Sequence, residues 1–236
     1  LPKGESEVIV TAGNYNDAVR QAAREAEASD WQVISDDSYP GYDGIPRLIM
    51  AGYTRLMEEA AQDWDQPPDV VLVQGGVGGL VCATASWFAH HFGTERPYFI
   101  CCEPLGAACL LASALAGVPT AVAGELDTKM EGLRCAEISP VAWPAITATV
   151  NAFVAIEDEW SFRAMRRLAH PMGGDPPIVA GASGACGLAA LAAILDDPTL
   201  LALRQAAGLS ADSRVLVINS EGATDPALYR MVTGKA

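Results

Sequence analysis

The clearest chemistry in the chain lies at Gly75-Gly76-Val77-Gly78-Gly79, which follows the apolar run Val70-Val71-Leu72-Val73-Gln74 and precedes a stretch at helical spacing. Four glycines in five residues let a backbone turn sharply and aim bare N–H groups at an anion. A helix starting there turns its positive end to the same point. The order strand, glycines, helix points to a phosphate site; the plain alternative is a tight turn for close strand–helix packing. The loop leaves the identity of the phosphate open. Gly76-Val77-Gly78 can begin a GxGxxG pattern with Glu103, at the end of a later strand, as a ribose-binding acid, although the sixth position is Val81. A Walker loop is excluded, because no Lys-Ser or Lys-Thr pair follows the glycines.

A second signal is Val215-Leu216-Val217-Ile218-Asn219-Ser220-Glu221-Gly222, a buried strand ending in a hydroxyl, a carboxylate and a glycine. Ligands of open parallel sheets sit at the carboxyl ends of strands, so Ser220 and the glycine loop can line one crevice. Taken alone, Ser220 reads equally well as a turn residue bonding backbone. A third region, Asp36-Asp37-Ser38-Tyr39-Pro40-Gly41-Tyr42-Asp43-Gly44, is too dense in Pro, Gly and small polar residues for helix or strand.

Rival chemistries find little support. His90 and His91 end a predicted helix, where its negative pole favours them, and His170 is alone, so no metal site is expected. Gly181-Ala182-Ser183-Gly184-Ala185 lacks the last glycine of a GxSxG elbow. Six Cys without a CxxC pair suit buried reduced thiols, and a cytoplasmic location is expected. A net charge of −14 over 236 residues has the wrong sign for nucleic acid. No apolar run reaches the roughly 18 residues of a membrane-spanning helix. Neither nucleic acid nor membrane is an expected partner.

The elements that must position these groups alternate between β-branched runs and Ala/Leu-rich stretches, so an α/β fold with an open parallel sheet is predicted. Strands are predicted at Val8–Thr11, Trp31–Ser35, Asp69–Gln74, Tyr98–Cys102, Ile178–Ala180 and Arg214–Asn219. Helices are predicted at Asp17–Ala28, Ile45–Ala61, Gly79–His91, Gly106–Ala116, Ala142–Phe153, Asp158–Leu168 and Gly181–Leu195, with Asp127–Pro140 irregular.

Five segments in order, the loop Gly75 to Gly79, Cys102-Glu103-Pro104, Met130 to Cys135, Ser183-Gly184-Ala185 and Ser220 to Asp225, resemble the fold type II pyridoxal-phosphate enzymes of the tryptophan-synthase β fold. Gly13-Asn14-Tyr15-Asn16-Asp17, Gly41-Tyr42 and Ile45-Pro46 give the likeness the flavour of the diaminopropionate ammonia-lyases. The resemblance implies a three-layer sheet with pyridoxal 5'-phosphate as cofactor. Gly75, Gly76, Val77, Gly78 and Gly79 would hold its phosphate, and Ser220 would hydrogen-bond its ring nitrogen. A neutral hydroxyl there leaves that nitrogen largely unprotonated, which suits β-elimination. Asp36 would take the α-proton of the L-substrate. A carboxylate partly desolvated by Tyr39, Pro40 and Tyr42 is suited to that task, with Asp37 as the competing candidate.

The implied reaction is α,β-elimination of 2,3-diaminopropionate, a small amino acid, to pyruvate and ammonia, in a homodimer. The family's Schiff-base lysine is implied to lie upstream. The chain holds only Lys3, Lys129 and Lys235, and Ala182 stands where the family carries an acid before Ser183-Gly184. The expectation is therefore the carboxyl-terminal portion of such an enzyme: residues 1–50 from the small domain and 51–236 from the large, cofactor-binding domain. Alternatives are a Thr/Ser dehydratase-like eliminating enzyme of the same fold, a catalytically incompetent fragment lacking the lysine, and a nicotinamide-dependent Rossmann oxidoreductase.

Overall fold

A computed structural model describes residues 7–13 and 15–235. Lys3 and Asn14 lie outside them. The chain divides between Ile34 and Ser35 into two compact units.

In the first unit the one helix described is α1, Tyr15–Ser29. It ends where Asp30 takes a left-handed conformation, with φ 54°, and the Trp31 N–H reaches the Ala26 carbonyl at 2.9 Å. The predicted strands Val8–Thr11 and Trp31–Ser35 are not formed. A strand needs a neighbouring strand to bond, and bonds made at the second stretch go elsewhere: Trp31 N–H to the Ala26 carbonyl and Ser35 N–H to the Tyr42 hydroxyl. Val8, Ile9, Val10, Trp31 and Ile34 are all exposed.

The second unit holds a four-stranded, wholly parallel sheet: β1 Val70–Gln74, β2 Tyr98–Pro104, β3 Ala152–Ile156 and β4 Val215–Val217. Their order is β3-β2-β1-β4. The chain thus builds outward from β1 to β3 and then returns to the other side of β1. Alternate residues face opposite layers. Val70, Leu72, Ile100, Cys102, Val154 and Ile156 pack with α6 (Asp158–Ala169) and α7 (Cys186–Asp196). Val71, Val73, Phe99 and Cys101 pack with α2 (Gly44–Ala60), α3 (Gly79–Phe92) and α5 (Trp143–Thr149). Covered on both faces, β1 and β2 read as continuous apolar runs, as a parallel sheet between helix layers requires. Helix α2 runs through residue 50 without a break. No single helix among the described residues is long and apolar enough to cross a membrane.

Three further predicted elements differ. Residues 142–153 split into α5 and the start of β3. Asn151 makes the division: its N–H reaches the Phe99 carbonyl and its side-chain oxygen accepts from the Phe99 N–H, both at 2.9 Å, which docks the chain beside β2. Ile178–Ala180 is extended without a ladder, held by Ile178 N–H to Leu168 O and by the Asn219 amide to Val179 O. Helix α7 begins at Cys186 and not at Gly181, because residues 181–185 form a turn that binds the segment after β4. Helices α4 (Cys109–Ala116), α8 (Leu201–Ala206) and α9 (Pro226–Thr233) complete the unit.

Candidate active site

The glycine loop leaves the carboxyl end of β1, and Ser220 lies three residues beyond the end of its parallel neighbour β4. They meet at the point where the strand order reverses, which is where open α/β sheets bind ligands. Gln74, the last residue of β1, ties them together. Its amide nitrogen donates to the Ile218 carbonyl at 3.1 Å and to the Ser220 hydroxyl. Gln74 is buried, whereas Ser220 is exposed toward the open side.

Within the loop, Gly76 and Gly78 adopt φ +63° and +96°. Gly78 caps α3, and the Gly78 N–H turns back to the Gly75 carbonyl at 3.2 Å. The N–H groups of Gly79, Leu80 and Val81, in the first turn of α3, have no intrahelical carbonyl to reach. A Cβ on Gly75 would stand 2.7 Å from Glu103 Cγ, and one on Gly78 2.8 Å from Ile146 Cδ1, so neither position admits a side chain. Beside Gly76 the nearest atoms, the Gly132 carbonyl and Leu133 Cδ2, are 3.7 Å from a Cβ position, which leaves its outer side open. Bare backbone, a helix N-terminus and an exposed hydroxyl beyond the adjacent strand end fit a phosphorylated heteroaromatic ring.

Two thiols line the loop. Cys109 Sγ donates to the Gly76 carbonyl at 3.5 Å, and Cys135 Sγ is 3.9 Å from the Gly76 Cβ position. Burial, followed by the negative charge of Asp37, pushes Cys135 up to about 12, and burial raises Cys109 likewise. Both are neutral thiols that crowd no charge against the loop. All six cysteines are unpaired in the structure.

The loop after residue 35 closes one side. Asp36 Oδ2 accepts from the Tyr53 hydroxyl at 3.1 Å and lies 3.6 Å from the Gly79 Cβ position, so this carboxylate stands at the head of α3. The carboxyl of the neighbouring Asp37 is moved out of the ordinary carboxylate range. Burial first, then the Asp36 charge, pushes it up to about 6, against the lowering effect of the Ser38 N–H. The segment is pinned where Ser38 and Ser139 share a hydroxyl–hydroxyl bond of 2.8 Å and the Ser38 N–H reaches Ser139 Oγ at 2.9 Å.

On the β4 side, Glu221 Oε2 accepts from the N–H groups of Ser183, at 2.8 Å, and Gly184, at 3.2 Å, and Thr224 bonds the other oxygen. A Cβ on Gly181 would meet Glu221 Oε2 at 2.6 Å and one on Gly184 would meet the Glu221 carbonyl at 2.6 Å, so the two glycines admit this approach. Ser183 Oγ in turn accepts from the Gly132 N–H at 3.0 Å. Ala182 is buried and its carbonyl takes the Ser161 hydroxyl at 2.6 Å; the carboxylate serving this turn comes from Glu221. Lys129 lines a cavity of about 400 Å³ together with Gly181, Ala182, Glu221 and Thr224. Lys235 donates to the Ala169 carbonyl.

Glu103 is fully buried at the end of β2. Its two oxygens accept from Leu110 N–H at 2.9 Å and Leu111 N–H at 2.8 Å, and burial pushes its carboxyl up to about 7. Closed over the head of α4, it is unavailable to a ribose, which removes the acid the nicotinamide alternative needs. His91 stacks on Trp87 and reaches Glu58 at 3.3 Å, His170 bonds the Thr233 carbonyl, and no group of three metal-ligating side chains occurs among the described residues. The glycine loop and Ser220 stood out in the sequence by residue type and order, and Asp36 by the family resemblance. Sequence reading missed Gln74, Tyr53 and Glu221 as their partners; the signal for Gln74 was a lone polar residue closing an otherwise apolar strand directly before the glycines.

Residues 4–221 match the profile of the family described as pyridoxal-phosphate dependent enzyme. The chain belongs to that family. Within the pyridoxal-phosphate dependent enzymes it is similar to the diaminopropionate ammonia-lyase of Escherichia coli K12, 36% identical over 230 residues that cover 96% of this chain and 58% of the relative. The Salmonella typhimurium diaminopropionate ammonia-lyase is 34% identical, covering 97% and 61%. The crystal structure of the Escherichia coli lyase in complex with an aminoacrylate-PLP azomethine reaction intermediate superposes with a TM-score of 0.86 and 34% identity, covering 94% of this chain and 57% of that one. Threonine deaminase from Solanum lycopersicum, at TM-score 0.76 and 18% identity over 96% of this chain and 59% of that one, shares the fold. The chain thus spans about three fifths of the length of the curated lyases it matches. The fold is the expected fold type II arrangement, an open parallel sheet between helix layers, and the cofactor of these enzymes is pyridoxal phosphate.

Proposed function

We propose that the protein carrying this chain is a pyridoxal-phosphate-dependent ammonia-lyase that converts 2,3-diaminopropionate to pyruvate and ammonia. The observation that carries the reading is the meeting of the glycine loop and Ser220 at adjacent parallel strand ends, tied by Gln74, in a chain 36% identical to a diaminopropionate ammonia-lyase.

The backbone of Gly75, Gly76, Val77, Gly78 and Gly79 receives the phosphate at the head of α3, and Ser220 meets the ring nitrogen. Bound there, pyridoxal phosphate supplies an electron sink for the pair left when the substrate α-proton departs. Asp36 receives that proton from the L-substrate, oriented by Tyr53. Asp37, pushed up to about 6, stands beside it as a second carboxyl able to exchange a proton near neutrality. The Ser38–Ser139 bond holds this acid loop against the segment that follows Cys135. The substrate is a small amino acid, and we assign the whole protein a cytoplasmic homodimer.

The test is pyruvate release from L- and D-2,3-diaminopropionate by the protein reconstituted with pyridoxal phosphate, beside L-threonine and L-serine. Faster turnover of diaminopropionate than of either hydroxy amino acid supports the assignment. The reverse order makes the protein a dehydratase of the same fold, a reading that the 25% identity to an L-threonine dehydratase of Mycobacterium leprae over 142 residues supports less. No turnover, with cofactor bound, makes it a catalytically incompetent relative.

A further inference from the structure

Gln74 is a buried amide with both amino hydrogens used and its oxygen unused. Its nitrogen donates to the Ile218 carbonyl at 3.1 Å and to Ser220 Oγ, while Oε1 is buried without a hydrogen-bond partner. This orientation is fixed: turning the amide over would set Oε1 against the Ile218 carbonyl, two acceptors face to face. The Ser220 oxygen therefore receives a hydrogen bond from beneath, from a donor that cannot become an acceptor. A hydroxyl so engaged has one lone pair fewer to offer and is strengthened as a donor. Ser220 is exposed on its outer side, so its hydrogen is the group it presents to a ligand above the strand end.

We propose that Gln74 is a positioning residue that sets the Ser220 hydroxyl as a hydrogen-bond donor toward the ring of the cofactor, and so holds the pyridine nitrogen as an acceptor without a proton. The proposal rests on the site reading above, in which that nitrogen lies at Ser220, and it goes beyond it by naming what fixes the direction of the bond. The register supports the geometry. Leu72 pairs with Val217, so Gln74, two residues on, is level with Asn219, and its side chain spans from Ile218 on one side to Ser220 on the other. Among neutral side chains only Asn carries the same fork of two amide donors, on a stem one methylene shorter.

The test has two arms. In the isotopically labelled protein without cofactor, the side-chain amide of Gln74 is followed by proton–nitrogen NMR in wild type and in Ser220→Ala. One amide proton is expected to move upfield and exchange faster on loss of the serine, while the proton bonded to Ile218 stays in place. Unaltered protons, or two that move together, overturn the proposal whatever the cofactor does. In the second arm the protein is loaded with ring-15N pyridoxal phosphate, and the nitrogen resonance is compared in wild type, Gln74→Met, Ser220→Ala and the double variant. Wild type is expected at the unprotonated position. Gln74→Met should move the resonance toward the pyridinium position and should add nothing once Ser220 is Ala. A resonance that responds to Ser220→Ala and not to Gln74→Met overturns the role of Gln74 and leaves the site reading standing. One indifferent to Ser220→Ala overturns both. Ser220 is exposed, so the first arm decides the proposal even where a substitution at buried Gln74 does not fold.

Discussion

Replacing Glu221 by Ala removes the acceptor for two backbone donors, Ser183 N–H at 2.8 Å and Gly184 N–H at 3.2 Å, both on buried residues. An orphaned buried donor costs about 1–3 kcal/mol, so two cost about 2–6 kcal/mol if neither is rehydrated. Glu221 is half-buried and borders the 400 Å³ cavity, so water reaches part of the vacated space. The expected loss is therefore in the lower half of that range, about 2–3 kcal/mol. For a folded unit of this size that corresponds to a fall in Tm of roughly 4–12 °C. Glu221→Gln is the informative control. Its carbonyl oxygen can still accept from both N–H groups, and its amino group can donate to the Thr224 hydroxyl, so its loss should stay below about 1 kcal/mol. The assay is urea unfolding of both variants at one pH, with Tm by calorimetry. Equal losses for Ala and Gln would show that charge, and not the acceptor geometry, holds the turn; an Ala loss below about 1 kcal/mol would refute the account of the turn altogether.

Gly184→Ala places a Cβ 2.6 Å from the Glu221 carbonyl; the expected cost of about 1–3 kcal/mol for overpacking should be accompanied by weaker cofactor binding, read by titration with pyridoxal phosphate. Glu103 has a folded carboxyl near 7 against 4.5 unfolded, so the native state keeps a proton that the unfolded chain releases. Its contribution is whole below about pH 4.5 and is lost as pH rises to about 7, a fall of about 3 kcal/mol that Glu103→Gln should flatten in denaturant midpoints measured across that window. Asp36→Asn should depress pyruvate release from L-diaminopropionate more than from the D-isomer, and an unchanged L-rate rejects its assignment. Tyr53→Phe removes one bond to Asp36, worth about 1.5–3 kcal/mol, and should lower Tm by roughly 3–12 °C together with the same L-rate.

What was legible in the sequence follows from how each element is made. β1 and β2 lie between two helix layers, and burial on both faces forces apolar runs that no loop would carry. The stretches 8–11 and 178–180 have the same β-branched content, yet extended backbone becomes a strand only beside a partner, and composition carries no record of partners. β3 was hidden because Ile146, Val150 and Val154 also repeat at helical spacing; only Asn151 and its bonds to Phe99 separate helix from strand. The site divides the same way. Glycines and a terminal serine announce themselves by type, whereas Gln74, Tyr53 and Glu221 act through residues 146, 17 and 38 positions away in the chain. Tertiary approach assigns those roles, and local spacing is silent on them.

The pairing of β1 with β4 has a consequence for how the protein is made. During synthesis β1, α3, β2, α4 and β3 can assemble in the order they emerge, but the free side of β1 waits until Val215–Val217 is released, well over a hundred residues later. Through that interval the nascent sheet shows an unpaired apolar edge, the kind of surface that invites intermolecular pairing and chaperone engagement. The pocket is then completed last, in one event, so that capture of a ligand reports that the whole sheet has closed.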